Sequence, residues 1–371
     1  MMTLSQKKAQ IWLSIPEYPL EAIPSSAYIR CSLTSTVKNI LEKCHNSFST
    51  ESAKNQEKFL NIKIFFNSIQ SNNAVYQASM SRQLAADLPP NIEQTSLKNE
   101  PKDWFIKTAD FGDNCDRVLQ HRDGEFTQLL EDIACYHQIF QQGYDKIILL
   151  RPPTYTGYDI QLTAAMQCLG YTKEQFQFII VQPIKLYAFH KPSQKIHPIP
   201  DISPDELIKS IGIDALRWHS FSFTLTSVAP INISTAGQPT FEDSLYRVQY
   251  AHARCCTLLQ EAHRQGIIKL DRQNWQITPA PQPLNECVWN SADAAKLANL
   301  LQLTPKIVQQ SAAEIEPHLI CQHLEAIAQI CEGFFGKIIR TQQDYALVLA
   351  AKQTIFDLLK NILEITVPES V

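Results

Sequence analysis

Three side chains near residue 250 have the chemistry that binding of single-stranded RNA requires. Arg247, Tyr250 and Arg254 fall within roughly 60 degrees of one another on a helical wheel. Guanidinium groups bind phosphates, and an aromatic ring stacks on an unpaired base. The same spacing is typical of a solvated helix face on which a tyrosine ring lies along the surface. The sequence therefore predicts either an RNA-binding stripe or an ordinary solvated face.

The ten cysteines do not indicate metal or disulfide chemistry. No Cys-x-x-Cys pair occurs, and the adjacent Cys255 and Cys256 cannot form an unstrained disulfide with each other. Cys321 and His323 have the nearest metal-like spacing, but they lack a second pair and fall within an apolar-periodic helix. We therefore expect reduced, mostly buried thiols and no metal site.

Charge and glycine content restrict the nucleotide chemistry that we expect. The formal net charge is -4, so any RNA contact must come from a local patch and not from a global positive field. The first of the ten glycines is Gly112, and a loop that wraps phosphate generally needs glycine, so the region before it is not expected to hold one. With no secretory-signal pattern and no stretch able to span a bilayer, we expect a cytoplasmic protein.

Alternating strand and helix patterns begin at Trp104. The apolar runs 147–150 and 176–181 are predicted strands, and a helix that ends at Gly170 lies between them. Val118 and Leu119 are predicted to approach Phe126 across a turn, which indicates a hairpin before this unit. Strand, helix and strand at this spacing predict a parallel sheet with helices on its faces.

Helical patterns dominate from about residue 203 onward. Ser203-Pro204-Asp205-Glu206 is a capping box whose helix should end at Gly212, and Asp214 is predicted to cap the next helix. Thr304-Pro305 is predicted to open another helix, and 345–363 a largely buried one. The Arg-Tyr-Arg stripe lies on a helix whose apolar face is formed by Leu245, Val248, Ala251, Cys255, Leu258, Leu259 and Ala262.

Two strings in this helical region resemble signature stretches of arginyl-tRNA synthetases. They are Ile213-Asp-Ala-Leu-Arg217 and Tyr246-Arg-Val-Gln-Tyr-Ala-His-Ala-Arg254, and the second belongs in that family to the all-helical anticodon-binding domain. The resemblance covers about residues 104 to 371. The further similar stretches are Asn114–Leu119, Asp123-Gly124, Asp132–Ala134, Gly143–Asp145, Glu316–Leu324 and Leu363–Glu369, with a faint likeness at Val75–Leu84.

The elements with which this family holds ATP are missing or altered. No His-x-Gly-His tetrapeptide occurs in the sequence, and the loop that resembles the family's Lys-Met-Ser-Lys element is His190–His197. Mobile lysines in that element stabilise charge on the transferring phosphates. Lys191, Ser193 and Lys195 are interpreted as a vestigial ATP loop, and a chance likeness of a surface loop is the alternative.

The arginine-binding part of the family's site is also altered. Asp132 matches an acidic position that helps to hold the substrate arginine, whereas the tyrosine expected shortly after it is Cys135. The family's Asp-His-type pair before the next helix is replaced by Pro153-Thr154-Tyr155. Asp132 is therefore a vestigial substrate-binding residue under the resemblance, with a helix-surface carboxylate as the alternative.

The resemblance implies an α/β remnant of a class I synthetase nucleotide-binding domain followed by an all-α anticodon-binding helical bundle. We predict a divergent N-terminal region at 1–103, a degenerate Rossmann-like catalytic remnant at 104–221, and an anticodon-binding domain of the DALR type at 222–371. The division rests on the change in pattern at Trp104 and on the two signature strings.

The function implied is tRNA binding through the helical domain, for example to an arginine isoacceptor, without aminoacylation. We expect no catalytic residues, no cofactor and no membrane association, and we treat a protein partner as an open alternative. A second hypothesis is an active arginine–tRNA ligase that uses ATP and magnesium, with missing parts supplied by another chain. A third is a protein-interaction or sensing module in which Arg247, Tyr250 and Arg254 are merely solvated.

Overall fold

The computed structural model describes residues 9–14, 60–62, 92–94, 103–141, 144, 146–153, 156–190, 195–200, 202–278, 287, 289, 291–335 and 341–370. Two compact units are present, and the chain passes from the first to the second between Val181 and Gln182. This point lies inside the segment 104–221 for which the sequence predicts one domain. The faint likeness at Val75–Leu84 lies outside the described residues.

The first unit contains short strands and two helices along a parallel sheet. The sheet order is β2-β1-β6-β7, and each pairing is parallel. The predicted parallel sheet is therefore confirmed. The elements are β1 (Ala9–Ser14), β2 (Leu60–Ile62), β3 (Ile92–Gln94), β4 (Trp104–Ile106), β5 (Arg117–Gln120), α1 (Gln128–Gln141), β6 (Lys146–Arg151), α2 (Thr156–Cys168) and β7 (Phe176–Ile180).

The core of the first unit lies between its helices and the sheet. Apolar residues of α1 and α2 repeat at helical spacing, so Ile133 and Leu162 are fully buried together with Ile147 of β6. The strands β3, β4 and β5 form a separate antiparallel sheet. The predicted hairpin is present, although its bridge joins Phe126 to Gln120 and not to Val118 or Leu119.

The second unit is mostly helical. It also contains a three-stranded sheet of order β10-β8-β9 and a two-stranded sheet formed by β11 and β12. The elements are β8 (Ile184–His190), β9 (Lys195–Pro198), α3 (Pro204–Ile211), α4 (Ile213–Phe221), β10 (Ala229–Asn232), α5 (Ser244–Arg264), β11 (Lys269–Asp271), β12 (Gln276–Thr278), α6 (Ala292–Glu314), α7 (His318–Phe335) and α8 (Gln342–Phe356), continued by the π-helical segment Asp357–Ile362.

Local capping signals have mixed outcomes in this unit. The capping box is confirmed, because Ser203 Oγ accepts from the Glu206 amide and Glu206 accepts from the Ser203 amide. The predicted cap at Asp214 is wrong, because α4 already begins at Ile213. The helix start predicted at Thr304-Pro305 is also wrong, because Pro305 lies inside α6, which begins after the Ser291 cap. Burial of α6 within the bundle offsets the cost of a proline in a helix interior.

Helix α5 is central to the core of the second unit. Val248, Cys255 and Leu259 on its inner face are fully buried, and α5 packs against α7 and α8. Burial of one large aliphatic side chain contributes about 1.5 to 3 kcal/mol. Most residues of the predicted apolar face are therefore placed as expected, and the opposite side of the same helix is left toward solvent.

Candidate nucleic-acid interface

A buried carboxylate fixes the point at which α5 begins. Asp243 accepts hydrogen bonds from the amide of Leu245 at 3.1 Å, the amide of Gly237 at 2.7 Å and His219 Nε2 at 3.0 Å. Aspartate is a preferred helix N-cap because its carboxylate satisfies amides that have no partner within the helix. Gly237 is required in this turn, because its φ is +73° and an added Cβ would collide with the backbone carbonyl of Ile211.

Three aromatic rings cluster on the exposed side of the first turns of α5. The ring centroids of Phe241 and Tyr250 are 4.9 Å apart, those of Phe241 and Tyr246 are 5.6 Å apart, and those of the two tyrosines are 6.2 Å apart. Phe241 is 51% exposed, which is unusual for phenylalanine. We call Phe241, Tyr246 and Tyr250 the aromatic cluster. It presents ring surface to solvent next to the stripe.

The stripe predicted from the sequence lies on this same face. Arg247 is exposed, while Tyr250 and Arg254 are partly buried. Within the described part of the chain, the guanidinium groups of Arg247 and Arg254 make no hydrogen bond or ion pair. The structure therefore brings together two guanidinium groups, available to an anion, and rings that can stack on bases.

A cavity of about 740 Å³ adjoins the stripe. Arg247 lines it from α5, and further walls come from β8, α4, β10 and α7. Sequence reasoning did not find this cavity, because its lining residues are far apart along the chain and no local pattern joins them. The other lining residues are Tyr187, Phe189, His219, Ser222, Phe223, Pro230, Asn232, Thr235, Glu242, Ser244, Cys321, Gln322 and Glu325.

The polar residues of the first signature string hold the C-terminal segment 364–368. Arg217 donates from Nη1 to the carbonyl oxygen of Glu364 at 2.6 Å. The amide of Thr366 donates to Asp214 Oδ2 at 3.1 Å. This contact is the role that Asp214 has instead of a helix cap. We call 364–368 the C-terminal strap.

The second signature string holds the same strap from α5. Gln249 Nε2 donates to the carbonyl oxygen of Thr366 at 2.8 Å, and His252 Nδ1 lies 2.8 Å from the carbonyl oxygen of Pro368. A carbonyl only accepts, so Nδ1 of His252 carries the proton. Burial lowers the pKa of His252, which favours its neutral form. Apart from Ile213, the apolar signature residues are buried in the core, and the polar ones thus divide into those that hold the strap and those on the stripe or in the aromatic cluster.

The chain is similar to known proteins in sequence as well as in fold. Residues 248–371 match the model of the DALR anticodon binding domain. An arginine–tRNA ligase of Oceanobacillus iheyensis is 30% identical over 275 residues, which cover 72% of this chain and 47% of that protein. This chain belongs to the arginyl-tRNA synthetase family. It spans about half the length of the curated relatives that it matches: a second relative, from Bacillus cereus, is 26% identical over 86% of this chain and 56% of its own length.

Solved structures of the family share the fold of this chain. Thermus thermophilus arginyl-tRNA synthetase has a TM-score of 0.61 at 15% identity and is matched over 93% of this chain and 63% of its own. A Campylobacter jejuni chain assigned to the arginyl-tRNA synthetases has a TM-score of 0.68 at 15% identity, over 98% and 94% of the two chains. The architecture is that of a class I synthetase fragment with a DALR-type helical domain at its C-terminal side.

The acidic residue that the family resemblance assigns to arginine binding has partners from its own chain. Tyr158 donates its hydroxyl to Asp132 Oδ2 at 2.7 Å, and Gln128 Nε2 donates to Oδ1 at 3.1 Å. Burial raises the pKa of Asp132, an effect that the Tyr158 hydrogen bond opposes. Cys135, one turn further along α1, is a thiol whose pKa burial raises to about 12. Both oxygens of Asp132 are thus engaged within the first unit.

The segment compared with the family's ATP loop connects two strands. Lys195 is the first residue of β9, which pairs in antiparallel fashion with β8. Lys191 and Ser193 lie outside the described residues, as do Thr154 and Tyr155 of the altered pocket element. The assignment of Lys191, Ser193 and Lys195 to a vestigial ATP loop stays a prediction.

Among the residues that the structure describes, no group of three or more histidine, cysteine or acidic side chains lies in an arrangement that could hold a metal ion. None of the helices described is both long and apolar enough to cross a membrane.

The strap contacts predict that two arginines of the signature strings differ in their effect on stability. Arg217→Ala removes a charge-assisted hydrogen bond to the strap, so we expect the free energy of unfolding to fall by about 1 to 3 kcal/mol. Arg254→Ala, on the solvent-facing stripe, should change it by no more than about 0.5 kcal/mol. Urea denaturation of both variants measures this. Equal losses in the two variants would contradict the division of roles.

Proposed function

We propose that this chain binds tRNA through its second compact unit, with the anticodon arm across the exposed face of α5. The observation that carries the proposal is the union of two available guanidinium groups with the aromatic cluster on one helix face. Guanidinium groups pair with phosphates, while rings stack on unpaired loop bases. The DALR match supports the same ligand, since that model describes an anticodon-binding domain.

The acidic overall charge is compatible with this binding because the contact is local. Charges further away than about 8 Å are largely screened at physiological ionic strength. Arg247 and Arg254 lie about one and about three helical turns from the start of α5, close to the rings that would receive bases. An arginine isoacceptor is the proposed tRNA, since the Oceanobacillus iheyensis and Bacillus cereus relatives are named arginine–tRNA ligases.

The second part of the proposal is that this chain does not itself activate arginine. The Asp132 carboxylate is engaged by Tyr158 and Gln128, which lowers its availability to a substrate guanidinium. The sequence contains no His-x-Gly-His element to neutralise the triphosphate. Adenylate formation requires that ATP and the amino acid be held in an accurate geometry, so loss of these groups should abolish it.

Two alternative functions predict different results for adenylate formation and for tRNA binding. An arginine–tRNA ligase that uses ATP and magnesium, alone or with a partner chain, would form arginyl adenylate. A protein-interaction module would bind neither arginine nor tRNA. Among the described residues Arg247 and Arg254 have no hydrogen-bond or ion-pair partner, which favours a polyanionic ligand over a neutral protein surface.

Charge reversal on the stripe should weaken tRNA binding. We expect Arg247→Glu and Arg254→Glu each to reduce the affinity for total tRNA by about tenfold or more and to lower the salt slope by about one per lost phosphate contact. Filter binding at several salt concentrations measures both quantities. Competition by a purified arginine isoacceptor against other tRNAs tests the choice of ligand.

Arg264→Glu is the matched control, because Arg264 is an exposed arginine in the last turn of the same helix. It should retain most of the affinity. Unchanged binding in Arg254→Glu, or the same loss in all three variants, would show that the stripe is not the binding site.

Arginine-dependent exchange between ATP and pyrophosphate separates the proposal from the ligase alternative. Because the groups that hold ATP and arginine are altered, we expect no exchange above a blank without protein, with tRNA included in the reaction. The relative from Oceanobacillus iheyensis that is named an arginine–tRNA ligase serves as the positive control. Exchange that depends on both arginine and the chain would refute the claim of inactivity.

A further inference from the structure

A buried arginine lies at the carboxyl edge of the parallel sheet in the first unit. Arg151 is the last residue of β6, and β6 adjoins β1 in the order β2-β1-β6-β7. The chain order therefore reverses between β1 and β6, and ligands of open parallel sheets bind outside the carboxyl ends of strands at such a point. The Arg151 residue is only 3% exposed, although arginine is rarely buried.

The groups around the Arg151 guanidinium are those that bind such a cation. Asp159 on α2 is 6% exposed, and its Oδ1 lies 3.6 Å from Arg151 Nε. Arg151 Nη2 donates to the hydroxyl of Tyr136 on α1 at 3.3 Å. Asp132 and Tyr158, joined by their own hydrogen bond, extend the cluster. One carboxylate and one phenol thus contact the guanidinium, and the pair of Asp132 and Tyr158 lies close enough to feel its charge.

The Asp159 carboxylate is the strongest indication of a binding site. Within the described residues, neither of its buried oxygens has a hydrogen-bond partner. Burial raises the pKa of Asp159 to about 6, although the positive charge of Arg151 opposes the shift. Burial of a carboxylate without hydrogen bonds costs free energy. The ion pair with Arg151, at 3.6 Å, offsets only part of that cost.

We propose that this cluster is a guanidinium-binding site at the ligand edge of the sheet, and that Arg151 is its internal occupant. The planar guanidinium offers donors that match the carboxylate of Asp159 and the hydroxyl of Tyr136. While Arg151 is in place, the edge is closed to a free guanidinium compound. Removal of its side chain opens a site for one. This inference concerns the first unit and does not depend on tRNA binding by the second.

Chemical rescue of Arg151→Ala tests the proposal without ATP or tRNA. We expect guanidinium chloride at about 10 mM to raise the unfolding temperature of the variant by about 2 to 4 °C relative to the same concentration of sodium chloride. Its denaturing action is negligible at such a concentration. The native protein, whose site is filled, should show no gain. Thermal unfolding followed by circular dichroism gives the readout.

Two further variants make the result specific. Arg122→Ala removes an exposed arginine of the first unit whose side chain has no ion pair among the described residues, so it uncovers no carboxylate and should not respond to guanidinium. Arg151→Ala combined with Asp159→Asn should lose the response. If Arg151→Ala does not fold, its refolding yield with guanidinium against ammonium replaces the unfolding temperature. A response equal to that of sodium chloride or ammonium, or one retained in the double variant, would overturn the proposal.

Discussion

Burial of one face of α5 is the constraint on which the second unit depends. Val248, Cys255 and Leu259 are inaccessible to solvent, and α5 packs against both α7 and α8. Because helix geometry fixes the angle between successive side chains, placing this face inward determines which residues point outward. The Asp243 cap sets where the helix begins, so position and rotation are fixed together. The stripe is exposed as a consequence of the packing.

The two signature strings contain a structural set and an exposed set of residues. Asp214, Arg217, Gln249 and His252 all hydrogen bond to the C-terminal strap, so they join the ends of the helical unit. The exposed set is the stripe of Arg247, Tyr250 and Arg254, which makes no such hydrogen bond to the strap among the described residues. A chain can therefore retain the strap contacts for stability alone. The two available guanidinium groups beside the aromatic cluster are what favour a retained RNA ligand.

Features that depend on local periodicity could be predicted from the sequence. The Ser203 capping box and the outward stripe follow from spacing within one element, and the parallel sheet follows from the order strand, helix and strand in consecutive elements. The cavity beside Arg247 could not be predicted, since its walls come from five elements that only tertiary packing brings together. The predicted Asp214 cap failed for the same reason, because its partner Thr366 is distant in sequence. The helix start predicted at Thr304-Pro305 was wrong because packing can retain a proline within a helix.

The first unit shows how a sheet edge can be closed by the chain's own side chains. Asp132 accepts hydrogen bonds from Tyr158 and Gln128, and Arg151 lies buried beside Asp159. In the proposed site Arg151 supplies the positive charge beside Asp159, although neither oxygen of that carboxylate has a hydrogen-bond partner among the described residues. The parallel sheet is present, and the site proposed at its carboxyl edge would be filled by Arg151 of the same chain. Arg247 and Arg254 on α5 are the contrasting case, because neither guanidinium group has a hydrogen-bond or ion-pair partner among the described residues.

Photo-cross-linking from the aromatic cluster to tRNA tests most directly whether the exposed face of α5 receives the anticodon arm. Phe241 replaced by p-benzoylphenylalanine should form cross-links that map to the anticodon loop of an arginine isoacceptor, since Phe241 is half exposed beside the stripe. The same replacement at Leu303, an exposed residue of α6, is the control and should give none. Absence of a cross-link from Phe241, or mapping to the acceptor stem, would contradict the proposed orientation.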